Sequence, residues 1–222
     1  MKEGLVKDIF KAERAYELVK AIGLKSEEMK IGTLKEYDEL FGTFQYALQA
    51  ETLLAVAKIY DPPSKKYPTR CLRGVLEFLS EHTGELPEIR EPEQLRKHLN
   101  ILKVPVAIIN DTFVDSGDFA KSFSTYIENQ LSEPPILDAI QKLKRIRDKS
   151  ICHNEKRDLA ILGPTWKSLK DLIEISKNVV GVLGWAYFST AYVINGEYIL
   201  TNDACKTSFV MNDLFDFISN NS

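Results

Sequence analysis

The chain has 222 residues, of which 44% are hydrophobic and 27% charged, so it is long enough to bury one sizeable core. Its formal net charge is −3 and its isoelectric point is about 5.7. This balance excludes a protein that coats nucleic acid non-specifically, and any contact with RNA must come from a local basic patch.

Cysteine usage and hydropathy predict a cytoplasmic protein without membrane contact. Cys71, Cys152 and Cys205 show no CxxC spacing, which favours reduced thiols over disulfides or a structural zinc site. The N-terminus is charged from its second residue and lacks the apolar core of a secretory signal. The apolar run over residues 179–194 is too short for a membrane span, which needs about 20 residues.

Two helices are predicted in the first quarter of the chain. Apolar residues spaced by three and four indicate a surface helix over residues 3–22. The capping-box sequence Thr33-Leu-Lys-Glu36 begins the next helix, which runs to about Tyr60 and is stopped by Asp61-Pro62-Pro63. We expect this second helix to be central, because apolar residues follow two of its faces. One of the two stripes consists of Tyr37, Phe41, Phe44, Leu48, Ala55 and Ile59.

Three further helices are expected in the middle of the chain. The first covers about residues 72–80, and the second begins near Pro92, a residue suited to a first helical turn. The third runs from about Phe119 to Leu131. Residues 104–109 fit either an extended segment or a helical piece broken at Pro105, and the sequence leaves both open.

The last third of the chain is predicted to contain two long helices, a hairpin and a terminal helix. Pro134 and Pro135 begin the first of these helices, and Gly163-Pro164-Thr165 separates it from the second, which is strongly apolar. Asn195-Gly196 between two β-patterned pairs indicates a small hairpin. Residues 209–218 then form a short helix whose apolar face docks on the bundle or on a second copy.

Positive charge is concentrated between Lys142 and Arg157, where seven Lys or Arg residues oppose Asp148 and Glu155. Arg147 can present a planar fork of donors to phosphate oxygens, and His153 can exchange a proton near neutral pH. Together they suit metal-free RNA cleavage, in which a 2′-hydroxyl attacks the adjacent phosphate. The alternative is an ordinary solvated helix face, which the spacing alone favours.

The motif resembles that of the HEPN superfamily, in which an arginine, a polar residue directly after it and a histidine four to six positions beyond the arginine end a helix. Arg147-Asp148 and His153 satisfy this pattern. The sequence Asn154-Glu155-Lys156 and the long helix that ends in Asp61 are similar to the AbiU-like, abortive-infection branch. The resemblance covers roughly residues 34–192, and we draw none for the tail after Tyr192.

The resemblance implies an all-α fold: an antiparallel multi-helix bundle of HEPN type, with a possible small β-hairpin near the C-terminus. We expect one domain over residues 1–222, with an N-terminal helix (1–33), a core bundle (34–192) and a hairpin and terminal helix (193–222). No metal or cofactor is implied.

By the same resemblance, the protein is expected to be a metal-independent endoribonuclease of a phage-defence or toxin–antitoxin system, acting on single-stranded RNA. In that role Arg147 stabilises the phosphate charge, His153 transfers a proton and Asp148 orients one of them. The expected substrate contacts are Asn154, Lys149, Lys156 and Arg157. The alternative is a non-catalytic HEPN-like module that binds a nucleotidyltransferase-type protein, and an antitoxin is a further possible partner.

Helix geometry also bears on the oligomeric state. An ideal helix leaves side chains six residues apart about 120° from each other, so Arg147 and His153 of one chain do not share a face. Either the helix ends near Ser150, or a second copy supplies the complementary group. The sequence therefore predicts a two-fold homodimer with the site at its axis, as in members of the family that it resembles.

Overall fold

The structure is a computed structural model. It describes residues 4–25, 32–64, 71–111, 115–148, 163–188, 190, 192–194 and 197–221.

The described chain is an antiparallel helical bundle with one minimal hairpin, as the sequence predicts. In chain order the helices are α1 (Leu5–Leu24), α2 (Asp38–Tyr60), α3 (Leu72–Glu81), α4 (Pro92–Ile101), α5 (Val106–Asp111), α6 (Ser116–Ser132), α7 (Pro134–Ile146), α8 (Trp166–Tyr187) and α9 (Ile199–Asn221). Two short 3-10 helices, Gly32–Tyr37 and Thr83–Glu85, precede α2 and follow α3. Strands β1 (Val193–Ile194) and β2 (Glu197–Tyr198) pair antiparallel, which confirms the predicted hairpin.

Local chemistry explains where several helices begin and end. Asp61 follows α2 in an extended conformation, as expected before Pro62. Pro92 stands in the first turn of α4, where its missing N–H costs no hydrogen bond. Asp115 caps α6, since its Oδ1 accepts hydrogen bonds from the backbone N–H groups of Gly117 and Asp118.

The main hydrophobic core joins α8 to α1, α2, α4 and α7. Tyr60 at the end of α2 lies in this core, and its hydroxyl donates a 2.6 Å hydrogen bond to the carbonyl oxygen of Leu172 on α8. Close packing also explains Gly184 near the end of α8. A Cβ at this position would overlap the ring of Tyr192 and the carbonyl oxygen of Thr190.

A buried ion pair links α1 to α8. Lys177 Nζ donates to Glu13 Oε1 at 2.5 Å and to Glu174 Oε1 at 3.1 Å. The Lys177 side chain is only 7% exposed. Burial acts to lower the pKa of Lys177, but the hydrogen bond and charge of Glu13, together with Glu174, outweigh burial and raise it. Lys177 therefore remains charged inside the bundle.

The predicted central burial of α2 is correct for its second half and only partly correct for its first. Ala55, Val56 and Ile59 are fully buried. In the first half Phe41 is buried, but Phe44 is 45% exposed, and Tyr37, directly before the helix, is 37% exposed. The reason is that α1 is the principal neighbour of this helix, while α7 and α8 make fewer contacts with it.

Helix α9 is longer than the terminal helix that the sequence predicts, and it packs along α1. Phe215 on α9 contacts Phe41 with ring centroids 4.7 Å apart, and with Ile22 they form a second buried cluster. Of the two alternatives for residues 104–109, the structure shows helix after Pro105. No described helix is both long enough and apolar enough to cross a membrane.

Candidate active site

Arg147 stands directly after α7, at the point where the amphipathic helix leaves the core. Leu143 and Ile146 are buried and fix the last turn of the helix against its neighbours. Arg147 keeps helical dihedral angles, and its backbone N–H bonds to the carbonyl oxygens of Leu143 and Lys144. Its side chain is 21% exposed, so the guanidinium lies at the surface of the bundle while most of its area is covered.

Two carboxylates hold the guanidinium of Arg147. Asp148, the next residue, accepts hydrogen bonds at its Oδ1 from Arg147 Nε at 2.8 Å and from Nη2 at 2.7 Å. Asp61 Oδ1 accepts a third hydrogen bond from Arg147 Nη1. Donors on both sides of the planar fork are thus engaged, which fixes the direction in which the group points.

Asp61 is the residue that sequence reasoning did not assign to the site. It directly follows α2 and lies 86 positions before Arg147, so no spacing rule connects the two residues. A signal was present, because a long helix ending in an aspartate is one of the features of the AbiU-like branch. The backbone explains its position: Pro62 holds Asp61 extended at the end of α2, and α2 packs against α7.

The electrostatics of the triad formed by Asp61, Arg147 and Asp148 keep the arginine charged. Burial acts to lower the pKa of Arg147, but hydrogen bonds and charge from Asp148 and Asp61 outweigh it and raise the pKa. The guanidinium is therefore protonated at every working pH. A single positive charge between two carboxylates leaves the described triad with a formal charge of −1, so an incoming phosphate must be attracted by other cations.

A small cavity opens beside the triad, between the end of α2 and α7. Its volume is about 190 Å³, and Asp61 forms part of its wall. Arg73 and Lys144 are the cations that line it, and Tyr60 and Pro62 line it from the side of α2. The space is small for a whole nucleotide, but the cations on its wall suit an anionic group.

Five of the predicted site residues lie outside the described residues: Lys149, His153, Asn154, Lys156 and Arg157. The pairing of Arg147 with His153 therefore stays a prediction. The structure does bring together Arg147 and Asp148, and it adds Asp61 to them.

The two other histidines are His82 and His98. None of the interactions found among the described residues joins either of them to the triad. His98 is buried on α4, and burial lowers its pKa to about 4, so it is neutral at neutral pH. His82 follows α3, and its Nδ1 donates to the carbonyl oxygen of Phe78. Within the described segments, no three His, Cys, Asp or Glu side chains are grouped closely enough to hold a metal ion.

A family comparison decides the classification. The model of the HEPN AbiU2 family matches residues 2–217 of this chain. The chain belongs to the HEPN AbiU2 family. This match confirms the resemblance drawn from the Arg147 motif and extends it beyond residues 34–192, to include α1 and most of α9.

As an AbiU2 protein, the chain carries an abortive-infection-related HEPN fold. No curated protein and no solved structure matches the chain. Fold and family do not determine chemistry by themselves, and the function must be argued from the site.

Proposed function

We propose that this protein is a metal-independent endoribonuclease that cleaves single-stranded RNA by attack of a 2′-hydroxyl on the adjacent phosphate. The observation that carries the proposal is the guanidinium of Arg147, fixed by Asp61 and Asp148 at the surface where α7 ends. A charged fork that is already oriented stabilises the phosphorane without reorganisation during the reaction.

Each residue has a defined role in this scheme. Arg147 binds the phosphate and stabilises charge in the transition state, and His153 transfers a proton. Asp148 and Asp61 orient the guanidinium from two sides. Asn154 contacts the substrate. The remaining cations, Lys149, Lys156 and Arg157, contact phosphates and position the strand without reading its sequence.

The site also supports a second candidate function, because the guanidinium of Arg147 forms ion pairs with two carboxylates. An arginine that is neutralised in this way serves equally well as a structural or interface ion pair. In that case the chain is a non-catalytic module that binds a nucleotidyltransferase-type partner. The family match is compatible with a role in phage defence or in a toxin–antitoxin pair under either function.

The first prediction tests the chemistry. Purified protein in EDTA should cleave single-stranded RNA and leave 2′,3′-cyclic phosphate ends, because no metal ion takes part and the 2′-hydroxyl is the nucleophile. His153→Ala should abolish the reaction. The ends are identified by their resistance to ligation until a phosphatase that opens cyclic phosphates is added.

The matched control is the same RNA with 2′-O-methyl groups, which keeps the phosphates but lacks the nucleophile. It should bind and remain intact. Cleavage of this RNA, or full activity of His153→Ala, would reject the proposed chemistry. A protein that leaves both RNAs intact but captures a nucleotidyltransferase-type partner would favour the second function.

The second prediction concerns a two-fold dimer with a shared site, which we propose because Arg147 and His153 do not share a helix face in one continuous helix. Arg147→Ala and His153→Ala proteins, each inactive alone, are mixed under conditions that exchange subunits. If Arg147 and His153 of one site come from different chains, each mixed dimer has one intact site. The mixture should then regain about a quarter of the wild-type rate.

If both residues come from one chain, mixing restores nothing. Mixing the Arg147→Ala protein with itself after the same treatment is the control for the exchange procedure. An active monomer measured by light scattering at assay concentration would contradict the dimer altogether.

A further inference from the structure

An apolar groove of about 550 Å³ lies between the start of α1, helix α3 and the end of α8. Most of the residues that line it are leucines and aromatic residues. None of these residues lines the cavity beside Asp61. The volume lies within the range of about 300–1,000 Å³ that is typical of small-molecule sites.

The groove has a buried aliphatic floor and aromatic walls. Leu5, Leu79 and Leu183 are almost completely covered by the bundle. Phe78 and Phe188, in contrast, are 52% and 51% exposed, so each ring presents a large area to whatever enters. Half-exposed aromatic residues above an apolar floor leave surface that an apolar ligand would cover.

Neighbouring contacts hold two of the aromatic walls in position. The ring of Phe78 stacks on His82 with centroids 4.4 Å apart, while His82 Nδ1 donates to the carbonyl oxygen of Phe78. The hydroxyl of Tyr187 donates to the carbonyl oxygen of Ser116 at 2.9 Å. Burial raises the pKa of Tyr187 to about 12, so the ring stays neutral at physiological pH. These walls are therefore formed before a ligand binds.

The described lining of the groove carries a single charge, and that charge is negative. Glu85 is the sole charged residue among those lining it. The sequence of residues 77–93 carries six glutamates against one base, Arg90. A second cavity, which shares Leu86 with the groove, is lined by three further carboxylates: Glu88, Asp115 and Asp118. These carboxylates favour a cationic ligand over an anionic one at the groove.

We infer that the groove binds a small organic ammonium ion with an apolar body. The body fits the aliphatic floor, and the ammonium group lies at the rim, near the carboxylate of Glu85. Faces of Phe78, Tyr187 and Phe188 add cation–π attraction, which favours an ammonium group over a neutral group of the same size. The site is separate from the proposed chemistry at Arg147 and does not depend on it.

The third prediction uses three probes that share one body: 4-phenylbutylamine, 4-phenylbutanol and 4-phenylbutyrate. Binding is followed by NMR through the methyl signals of Val75 and Leu86. The amine should bind with a dissociation constant of about 0.1–1 mM, as expected for a ligand of this size. It should bind about tenfold more tightly than the alcohol, and the acid should bind most weakly.

Two variants and one control separate the contributions. Glu85→Gln should reduce the preference for the amine over the alcohol without abolishing it, because it removes the carboxylate at the groove but leaves the cation–π attraction of the rings. Phe78→Ala should weaken the binding of both the amine and the alcohol, because apolar contact is lost, and should weaken the amine more, because a cation–π contact is lost as well. Glu88→Gln is the matched control: it removes a carboxylate that lines the neighbouring cavity only, so the preference for the amine should persist.

The inference is overturned if none of the probes shifts the two methyl signals, or if the acid binds as tightly as the amine. It is also overturned if Glu88→Gln changes the preference as much as Glu85→Gln. Cleavage activity is not a readout in any of these measurements, so failure of the groove and failure of the nuclease proposal are distinguishable.

Discussion

Replacing Arg147 with alanine is expected to lower the rate of RNA cleavage by at least about a thousandfold. Two carboxylates orient the guanidinium of Arg147 at the site. Loss of an oriented charge that stabilises a phosphoryl transition state has effects of this size. The measurement is the single-turnover cleavage rate of a labelled RNA. Arg147→Lys should recover little of the rate, because an ammonium lacks the planar fork.

Arg145→Ala is the matched control for this experiment. Arg145 lies two positions earlier on α7 and is exposed to solvent. Its loss removes the same charge from the basic cluster without touching the triad. The rate should therefore change by less than about tenfold, through weaker RNA binding alone. Equal losses in both variants would show that Arg147 acts only through overall charge.

Asp61→Asn is expected to lower the cleavage rate, but by less than Arg147→Ala does. The amide keeps the size of the side chain but loses its charge, so Arg147 stays in place with a less well-defined direction. Misplacement of a catalytic group by about 1 Å costs about a hundredfold in rate. An unchanged rate in Asp61→Asn would remove Asp61 from the mechanism and leave it as a structural partner of Arg147.

The stability of the fold is expected to depend on the buried ion pair of Lys177. Lys177→Ala should lower the free energy of unfolding by about 3–5 kcal/mol. The substitution leaves the carboxylate of Glu13 buried without the cation that approaches it to 2.5 Å. Removing one partner of a buried ion pair lowers stability by more than the intact pair contributes to it, because the remaining charge stays desolvated. Urea denaturation followed by circular dichroism measures the change.

Lys170→Ala is the control for helix propensity and net charge, since Lys170 lies on the same helix and is exposed. It should change stability by less than about 0.5 kcal/mol. The double variant Glu13→Leu with Lys177→Met should recover most of the loss, because apolar groups of similar volume replace the buried pair at little cost. A double variant as unstable as Lys177→Ala would contradict the buried-charge explanation.

The direction of the pKa shift also predicts a pH dependence. The pKa of Lys177 is raised in the folded protein. Its contribution to the free energy of unfolding is therefore fully present at pH values below the pKa of the unfolded chain, about 10.4. The contribution is lost as the pH rises through the folded pKa. The wild-type protein should therefore lose stability above about pH 10.5, and the apolar double variant should lose less over the same range.

Sequence alone determined the fold class, most of the elements and the family. Helix periodicity predicted the order of the helices, and Pro62, Pro92 and Pro134 marked positions where helices end or begin. The Asn195-Gly196 pair predicted the hairpin between β1 and β2. These features depend on neighbouring residues, so local sequence is sufficient to specify them. The motif at Arg147 and Asp148 was likewise readable, because it is a short continuous pattern.

Only the tertiary structure decided which elements meet. Apolar periodicity shows that a helix has a buried face but not which helix covers it, and for this reason Tyr37 and Phe44 were wrongly expected to be buried. The same reason applies to the ion pairs. Asp61 reaches Arg147 across 86 residues, and Glu13 reaches Lys177 across 164. Spacing rules act over one or two turns of a helix, whereas these partners are brought together by the packing of α2 on α7 and of α1 on α8.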